Sequence, residues 1–92
     1  MRTVTSHTNK QFRKLLQELP ADVQKQARQA YSTWMRDPWH PSLRFKQIHA
    51  TEPIYSVRVS MGWRTVGMRS GDTVIWYWIG SHADYDRLIA NF

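Results

Sequence analysis

The sequence predicts one α+β domain, residues 1–92, with the order β-α-α-β-β-β-α. Three observations predict it: two apolar stripes at helical spacing near the start, a run of short strand-like segments divided by turn residues, and a last helical stripe. Two helices followed by a run of strands favour an antiparallel twisted sheet, with the N-terminal helical hairpin packed on one face and a short C-terminal helix. A chain of 92 residues suffices for one such domain and not for two.

The first elements are a strand and two helices. Residues 2–5 predict a short strand, and Thr8 followed by Gln11 fits a capping box that starts a helix. Apolar side chains then recur at i, i+3, i+4 and i+7, namely Phe12, Leu15, Leu16 and Leu19. Pro20 ends this helix, and a second stripe predicts a helix to about Met35. Its members are Val23, Ala27, Ala30, Tyr31 and Trp34. The two helices form a hairpin with basic outer faces.

The strands follow a loop at residues 37–41, where two prolines in four residues prevent a helix. Strand patterns cover residues 43–48, 54–60, 63–69 and 73–79. The last is apolar on both faces, which predicts an interior strand, and Gly80 is expected to break it. Ser81 and Asp84 form a second capping signal. The final short helix has the stripe Tyr85, Leu88, Ile89 and Phe92.

The charge of the chain favours a polyanionic partner. The net charge is +6, from 13 Lys and Arg against 7 Asp and Glu. Residues 1–50 carry nine of the bases and three of the acids, and residues 51–92 carry four of each, so the excess lies on the first half. Such a field attracts nucleic acid, an acidic protein segment or an anionic membrane. A protein that is merely basic remains an alternative.

Several classes of protein are excluded or not expected. Without cysteine there is no disulfide, thiolate metal site or cysteine nucleophile. The four histidines show no metal-ligand spacing, and no phosphate or dinucleotide loop is present, so neither metal nor cofactor is expected. No apolar run approaches a membrane span of about 18 residues. The N-terminal stretch lacks the apolar region of a signal peptide, and a cytoplasmic location is expected.

Two arginines and one histidine are the main candidates for a site. Arg58 and Arg64 lie on neighbouring strand segments, and two forked guanidinium groups near one point suit a phosphate. His82 would be the first residue of the last helix, where free N–H groups bind anions and an imidazole exchanges protons near neutral pH. The alternatives are solvated strand-face arginines and a surface histidine without a role.

Four further residues are secondary candidates. Tyr85 lies one turn after His82 and either shares the site or packs in the core. Lys46, with Arg44 on the same segment, adds charge for a phosphate, or lies on a solvated face. Trp63 either stacks on a nucleobase or belongs to the core.

The combination of segments resembles the RelE/ParE superfamily of type II toxins over nearly the whole chain. The segments are a helix that ends in ELP, then HPSLRFKQI, YSVRVSMGWR and WYWIGSHADYDRLI. YSVRVSMGWRTVG and IGSHADYDRLI are the most specific and are similar to the HigB-like/ParE-like branch. The resemblance implies two N-terminal helices on an antiparallel sheet. It also implies a cognate antitoxin protein as partner, in a toxin–antitoxin hetero-oligomer.

The resemblance further implies a ribosome-dependent mRNA endoribonuclease that inhibits translation, with the ribosome and mRNA as partners. Arg58, Arg64 and His82 match catalytic positions of such members, and Lys46 matches a basic residue of the preceding strand. Tyr85 is the nearest match to the terminal tyrosine of other members, two residues beyond the place that an adjacent His-Tyr pair would give it. The expected RNA-binding residues are Arg44, Lys46 and Trp63. Some members use a glutamate base before that strand, and this chain has no acid between Asp37 and Glu52. The alternatives are a ParE-like toxin that binds DNA gyrase without nuclease activity, and an inactive binding descendant.

Overall fold

The computed structural model describes residues 5–92. The helices are α1 (Lys10–Gln17), α2 (Ala21–Arg36) and α3 (His82–Ile89). The strands are β1 (Thr5–Thr8), β2 (Lys46–Gln47), β3 (Ile54–Ser60), β4 (Trp63–Ser70) and β5 (Thr73–Ser81). Of the strand predicted at residues 2–5, residues 2–4 lie outside the described part of the chain.

The five strands form one sheet in the order β1-β5-β4-β3-β2. The helices and strands occur in the predicted order along the chain. The segment around residues 43–48 supplies the short strand β2, which precedes the three strands after Pro53. Strands β2 to β5 pair antiparallel as predicted, whereas β1 pairs parallel to β5, with Thr5 opposite Thr73. The sheet is therefore mixed. A four-residue strand shows the same alternation in either pairing, so the sequence does not reveal its direction.

Helices cover both faces of the sheet. The predicted hairpin of α1 and α2 packs on one face over a core of Ala30, Trp34, Leu43, Phe45, Val57, Val74 and Trp76. Helix α3 packs on the other face, where its Tyr85 is buried against Ile54 and Val66. Strand β5 lies between β1 and β4, which confirms the predicted interior strand. In residues 5–92 no helix is both long and apolar enough to cross a membrane.

The first predicted capping box is wrong by one residue. Thr8 is still part of β1, and Asn9 is the N-cap of α1. The side-chain oxygen of Asn9 accepts a hydrogen bond from the Phe12 N–H at 2.8 Å. The capping signal predicted at Ser81 is correct, since its hydroxyl accepts from the Asp84 N–H at 3.1 Å.

The strand predicted at residues 43–48 is mostly absent. Pro41–Leu43 form one 3₁₀ turn, which Pro41 begins, and the strand is limited to Lys46–Gln47. Arg44 has a φ of 48°, in the left-handed region, and it is the one non-glycine residue with positive φ between residues 5 and 92. A left-handed residue cannot continue a strand. The short β2 pairs with Tyr55 and Ser56 only, so it does not cover the far end of β3.

The expected strand break at Gly80 does not occur. Strand β5 continues to Ser81, and Gly80 pairs with Arg64 of β4. A Cβ atom at Gly80 would lie 2.6 Å from the ring of Trp78, so the glycine makes room for that ring within the strand. The extra strand length brings Ser81 opposite Trp63 and places the start of α3 beside the β3–β4 turn.

Candidate active site

Six of the seven predicted site residues line one cleft of about 130 Å³. The cleft lies between the segment around β2, the adjoining ends of β3 and β4, and the first turn of α3. Its lining consists of Arg44, Lys46, Ser56, Arg58, Arg64, His82 and Tyr85, and we call it the cationic cleft. Ser56 is the one lining residue that was not predicted from the sequence.

The two arginines of the strands face each other across an antiparallel pair. Arg58 of β3 is directly opposite Arg64 of β4, so both side chains leave the same face of the sheet. The Arg64 guanidinium donates to the carbonyl oxygens of Ser60 at 2.7 Å and Trp63 at 2.9 Å, which fixes it against the β3–β4 turn. The Arg58 side chain forms no hydrogen bond or ion pair with any residue in the described part of the chain. Its guanidinium is therefore available to a ligand.

The cleft is positively charged and has no acidic residue in its lining. Burial lowers the pKa of Arg64, and the positive charges of Arg58 and Arg44 lower it further, while Tyr85 and Asp86 act in the opposite direction. Cations that crowd together without an internal counter-ion favour binding of an anion. Forked guanidinium groups match the oxygens of a phosphate better than a point charge does.

Helix α3 positions His82 at the mouth of the cleft. His82 is the first residue of α3, and its backbone N–H donates to the Gly62 carbonyl at 2.8 Å, which ties the helix to the β3–β4 turn. Its ring nitrogen Nδ1 lies 3.1 Å from a carboxylate oxygen of Asp86, four residues later. With Nδ1 donating to Asp86, Nε2 is the nitrogen left for exchange of a proton. Sequence reasoning missed this pair, although i,i+4 spacing on a helix indicates it.

Tyr85 belongs to the core and reaches the cleft at the same time. Its ring is buried with Ile54 and Val66, as the core alternative predicts. Its hydroxyl donates to the Ser56 hydroxyl at 3.1 Å in the wall of the cleft. Ser56 could have been found from its spacing, because it lies two residues before Arg58 on the same face of β3.

The remaining candidates differ in position. Arg44 and Lys46 are exposed at the rim of the cleft. Trp63 lies outside it, half-buried in a separate groove between α1 and α3 that Leu19 and Trp78 also line. Its assignment to RNA stacking stays a prediction. In residues 5–92 no group of three or more acidic or histidine side chains could hold a metal ion.

The family described as ParE-like toxin domain matches residues 21–87. The chain belongs to the ParE-like toxin family. The resemblance to the RelE/ParE superfamily is thereby confirmed. The matched range of this ParE-like domain contains every residue of the cationic cleft.

Solved structures share the fold of this ParE-like domain. One is a RelB–RelE antitoxin–toxin complex from Methanococcus jannaschii, with 20% identity and a TM-score of 0.70 over 88% of this chain and 96% of that one. Another is the toxin–antitoxin complex RelBE2 from Mycobacterium tuberculosis, with 16% identity and a TM-score of 0.70 over 88% and 100%. A third is YafQ from E. coli, with 11% identity and a TM-score of 0.66 over 89% and 97%. No curated protein sequence matches the chain.

Proposed function

We propose that this ParE-like domain is a toxin that cleaves mRNA on the ribosome and is held inactive by a cognate antitoxin. The observation that carries the proposal is the cationic cleft, where two opposed arginines and a histidine with one ring nitrogen engaged line the same small space. Such a cleft combines a place for a phosphate with a group that transfers a proton.

In the proposed reaction the RNA 2′-oxygen attacks the adjacent phosphorus in line. The bond from the 2′-oxygen to phosphorus forms, the bond from phosphorus to the 5′-oxygen breaks, and a 2′,3′-cyclic phosphate and a 5′-hydroxyl result. Negative charge collects on the phosphoryl oxygens during this step, and preorganised guanidinium groups stabilise it. The Arg58 guanidinium, which has no hydrogen-bond partner among residues 5–92, binds the phosphate most directly, and the fixed Arg64 adds charge at a constant position.

One of the two proton transfers is assigned to His82, and water makes the other. The Nε2 of His82 removes the proton of the 2′-hydroxyl while water protonates the departing 5′-oxygen, or the imidazolium protonates the 5′-oxygen while water takes the 2′ proton. No carboxylate lines the cleft, and the sequence has no acid between Asp37 and Glu52. A carboxylate base is therefore not in place, and the proton transfer is assigned to His82. The Tyr85 hydroxyl donates its proton to Ser56, so Tyr85 acts on the phosphate through the Ser56 hydroxyl, which keeps its own proton to donate from the wall of the cleft.

The hairpin supplies a surface for docking on ribosomal RNA. Its exposed basic residues are Lys10, Arg13, Lys14, Lys25, Arg28 and Arg36. Contacts of this kind release counter-ions and weaken steeply as the salt concentration rises. An antitoxin as partner is supported by the solved complexes that share the fold, which contain a toxin together with its antitoxin. A ribosomal target also implies a cytoplasmic location.

The match to the ParE-like family favours a second candidate, a toxin that binds DNA gyrase without cleaving RNA. Its contact surface would be α3, where Asp84, Asp86 and Arg87 are exposed. The two candidates separate when the chain is induced in cells without an antitoxin. Fragmented mRNA with intact DNA is expected, whereas DNA breaks with intact mRNA would overturn the nuclease proposal. Unimpaired growth would identify an inactive descendant.

A further inference from the structure

A second cleft, of about 380 Å³, adjoins the cationic cleft on the other side of Arg58. Its polar lining comprises Gln26, Gln29 and Thr33 from α2, Ser42 from the 3₁₀ turn, and Arg58 and Ser60 from β3. We call it the amide cleft. We propose that it binds a nucleobase of the RNA next to the phosphate in the cationic cleft, and so gives cleavage a sequence preference. This inference rests on the proposed function.

Arg58 lies between the two clefts and connects them. Arg58 is the one residue that lines both clefts. Strand β2 pairs only with Tyr55 and Ser56, so it leaves uncovered the edge of β3 from Arg58 to Ser60 where the clefts meet. A nucleotide whose phosphate contacts Arg58 in the cationic cleft therefore has the amide cleft within reach of its base or of the neighbouring base.

The polar lining of the amide cleft is almost entirely uncharged. Apart from Arg58, every polar side chain of the amide cleft is a neutral amide or hydroxyl. The charged residues of α2, which are Asp22, Lys25, Arg28 and Arg36, do not line it. A cleft built for another phosphate would carry cations, whereas the edge of a base is uncharged and offers hydrogen-bond donors and acceptors.

Two glutamine side chains of the amide cleft are available to bind a ligand. Within residues 5–92, the side-chain amides of Gln26 and Gln29 make no hydrogen bond to the protein, so each keeps a donor and an acceptor for a ligand. A glutamine amide pairs with a base edge through two hydrogen bonds. The apolar part of the lining, Ala30, Leu43 and Val59, provides a surface for the face of the base.

The double variant Gln26→Ala with Gln29→Ala tests the proposal. Alanine favours a helix, so α2 is expected to remain folded, which a thermal melt checks. The matched control is Gln17→Ala, which removes an exposed amide from α1 outside both clefts. The experiment maps the ends of mRNA fragments in cells that express each chain. Wild type and control should show a base preference at one fixed position beside the cut, and in the double variant this preference should fall about tenfold.

The outcomes distinguish this inference from the proposed function. If the wild type cuts no mRNA, the proposed function is overturned and the inference with it. If the wild type cuts with a preference that the double variant retains, only the inference is overturned. Retained preference together with loss of neutralisation by the antitoxin would assign the amide cleft to the antitoxin instead.

Discussion

A carboxylate oxygen of Asp86 lies 3.1 Å from Nδ1 of His82, one helical turn earlier on α3. Both side chains are about half exposed, at 48% for His82 and 58% for Asp86, so the contact adds little to stability. Its consequence is orientation of the ring, since the nitrogen that Asp86 does not engage is the one available for proton transfer. The pair therefore makes Asp86 a positioning residue for the proposed reaction.

Replacing His82 by alanine should lower the cleavage rate about 10²- to 10⁴-fold, the range typical of a lost general acid or base. Asp86→Ala should lower kcat by a smaller factor with little change in KM, while Asp86→Glu restores part of it. NMR of the imidazole nitrogens should show one tautomer in the wild type and a mixture in Asp86→Ala. His7→Ala removes an exposed histidine from β1 as a control. Equal kcat in wild type and His82→Ala would refute the assignment.

The Tyr85–Ser56 hydrogen bond should contribute to stability because both residues are buried. Tyr85→Phe leaves the Ser56 hydroxyl without its partner, which costs about 1–3 kcal/mol in the free energy of unfolding. The double variant with Ser56→Ala should lose less than the sum of the single variants. Urea unfolding of the four proteins gives the coupling energy, and strictly additive losses would show that the bond is not formed.

Arg44 should combine a backbone cost with a binding role. Its left-handed conformation is unfavourable for a residue with a Cβ atom, by roughly 1–2 kcal/mol. Arg44→Gly and Arg44→Ala remove the same charge, but only glycine relieves the strain, so the glycine variant should be more stable by about 1 kcal/mol. Both should bind RNA more weakly than the wild type. Equal stability of the two variants in urea unfolding would argue against a strained Arg44.

Acid should loosen the first turn of α3 through Asp84. Hydrogen bonds from Arg87 and Ser81 lower the pKa of the Asp84 carboxyl below its ordinary value of 3.8. A lowered pKa in the folded state stabilises the fold above that ordinary value, and the contribution disappears as the pH falls through the folded pKa. Asp84→Asn should abolish this part of the pH dependence in unfolding experiments from neutral pH to about pH 2. Parallel curves for wild type and variant would contradict it.

Part of the site follows from local pattern. Ser81 with Asp84 fixes the start of α3, as the spacing of a capping signal predicts. Arg58 faces Arg64 only because an irregularity between Arg58 and Ser60 shifts the register of the β3–β4 pairing by one residue, which strand alternation does not predict. The His82–Asp86 contact follows the i,i+4 spacing of a helix and could have been predicted. The Tyr85–Ser56 hydrogen bond joins residues 29 positions apart and depends on how α3 packs on the sheet.

Other features depend on tertiary contacts that no local pattern contains. Gly80 continues a strand because the Trp78 ring occupies the space beside it, and Arg44 is left-handed at the end of a 3₁₀ turn. The parallel pairing of β1 joins residues about 70 positions apart, such as Thr5 and Thr73. The amide cleft forms only when α2 lies against the end of β3.

Cleavage of a defined mRNA on purified ribosomes tests the proposed nuclease activity. With the purified chain and ribosomes, we expect fragments that end in a 2′,3′-cyclic phosphate. The Arg58→Ala variant should produce far fewer, while Arg69→Ala, which changes a strand arginine outside the cationic cleft, should cut like the wild type. If the mRNA stays intact with the wild-type chain, the chain is not a ribosome-dependent nuclease.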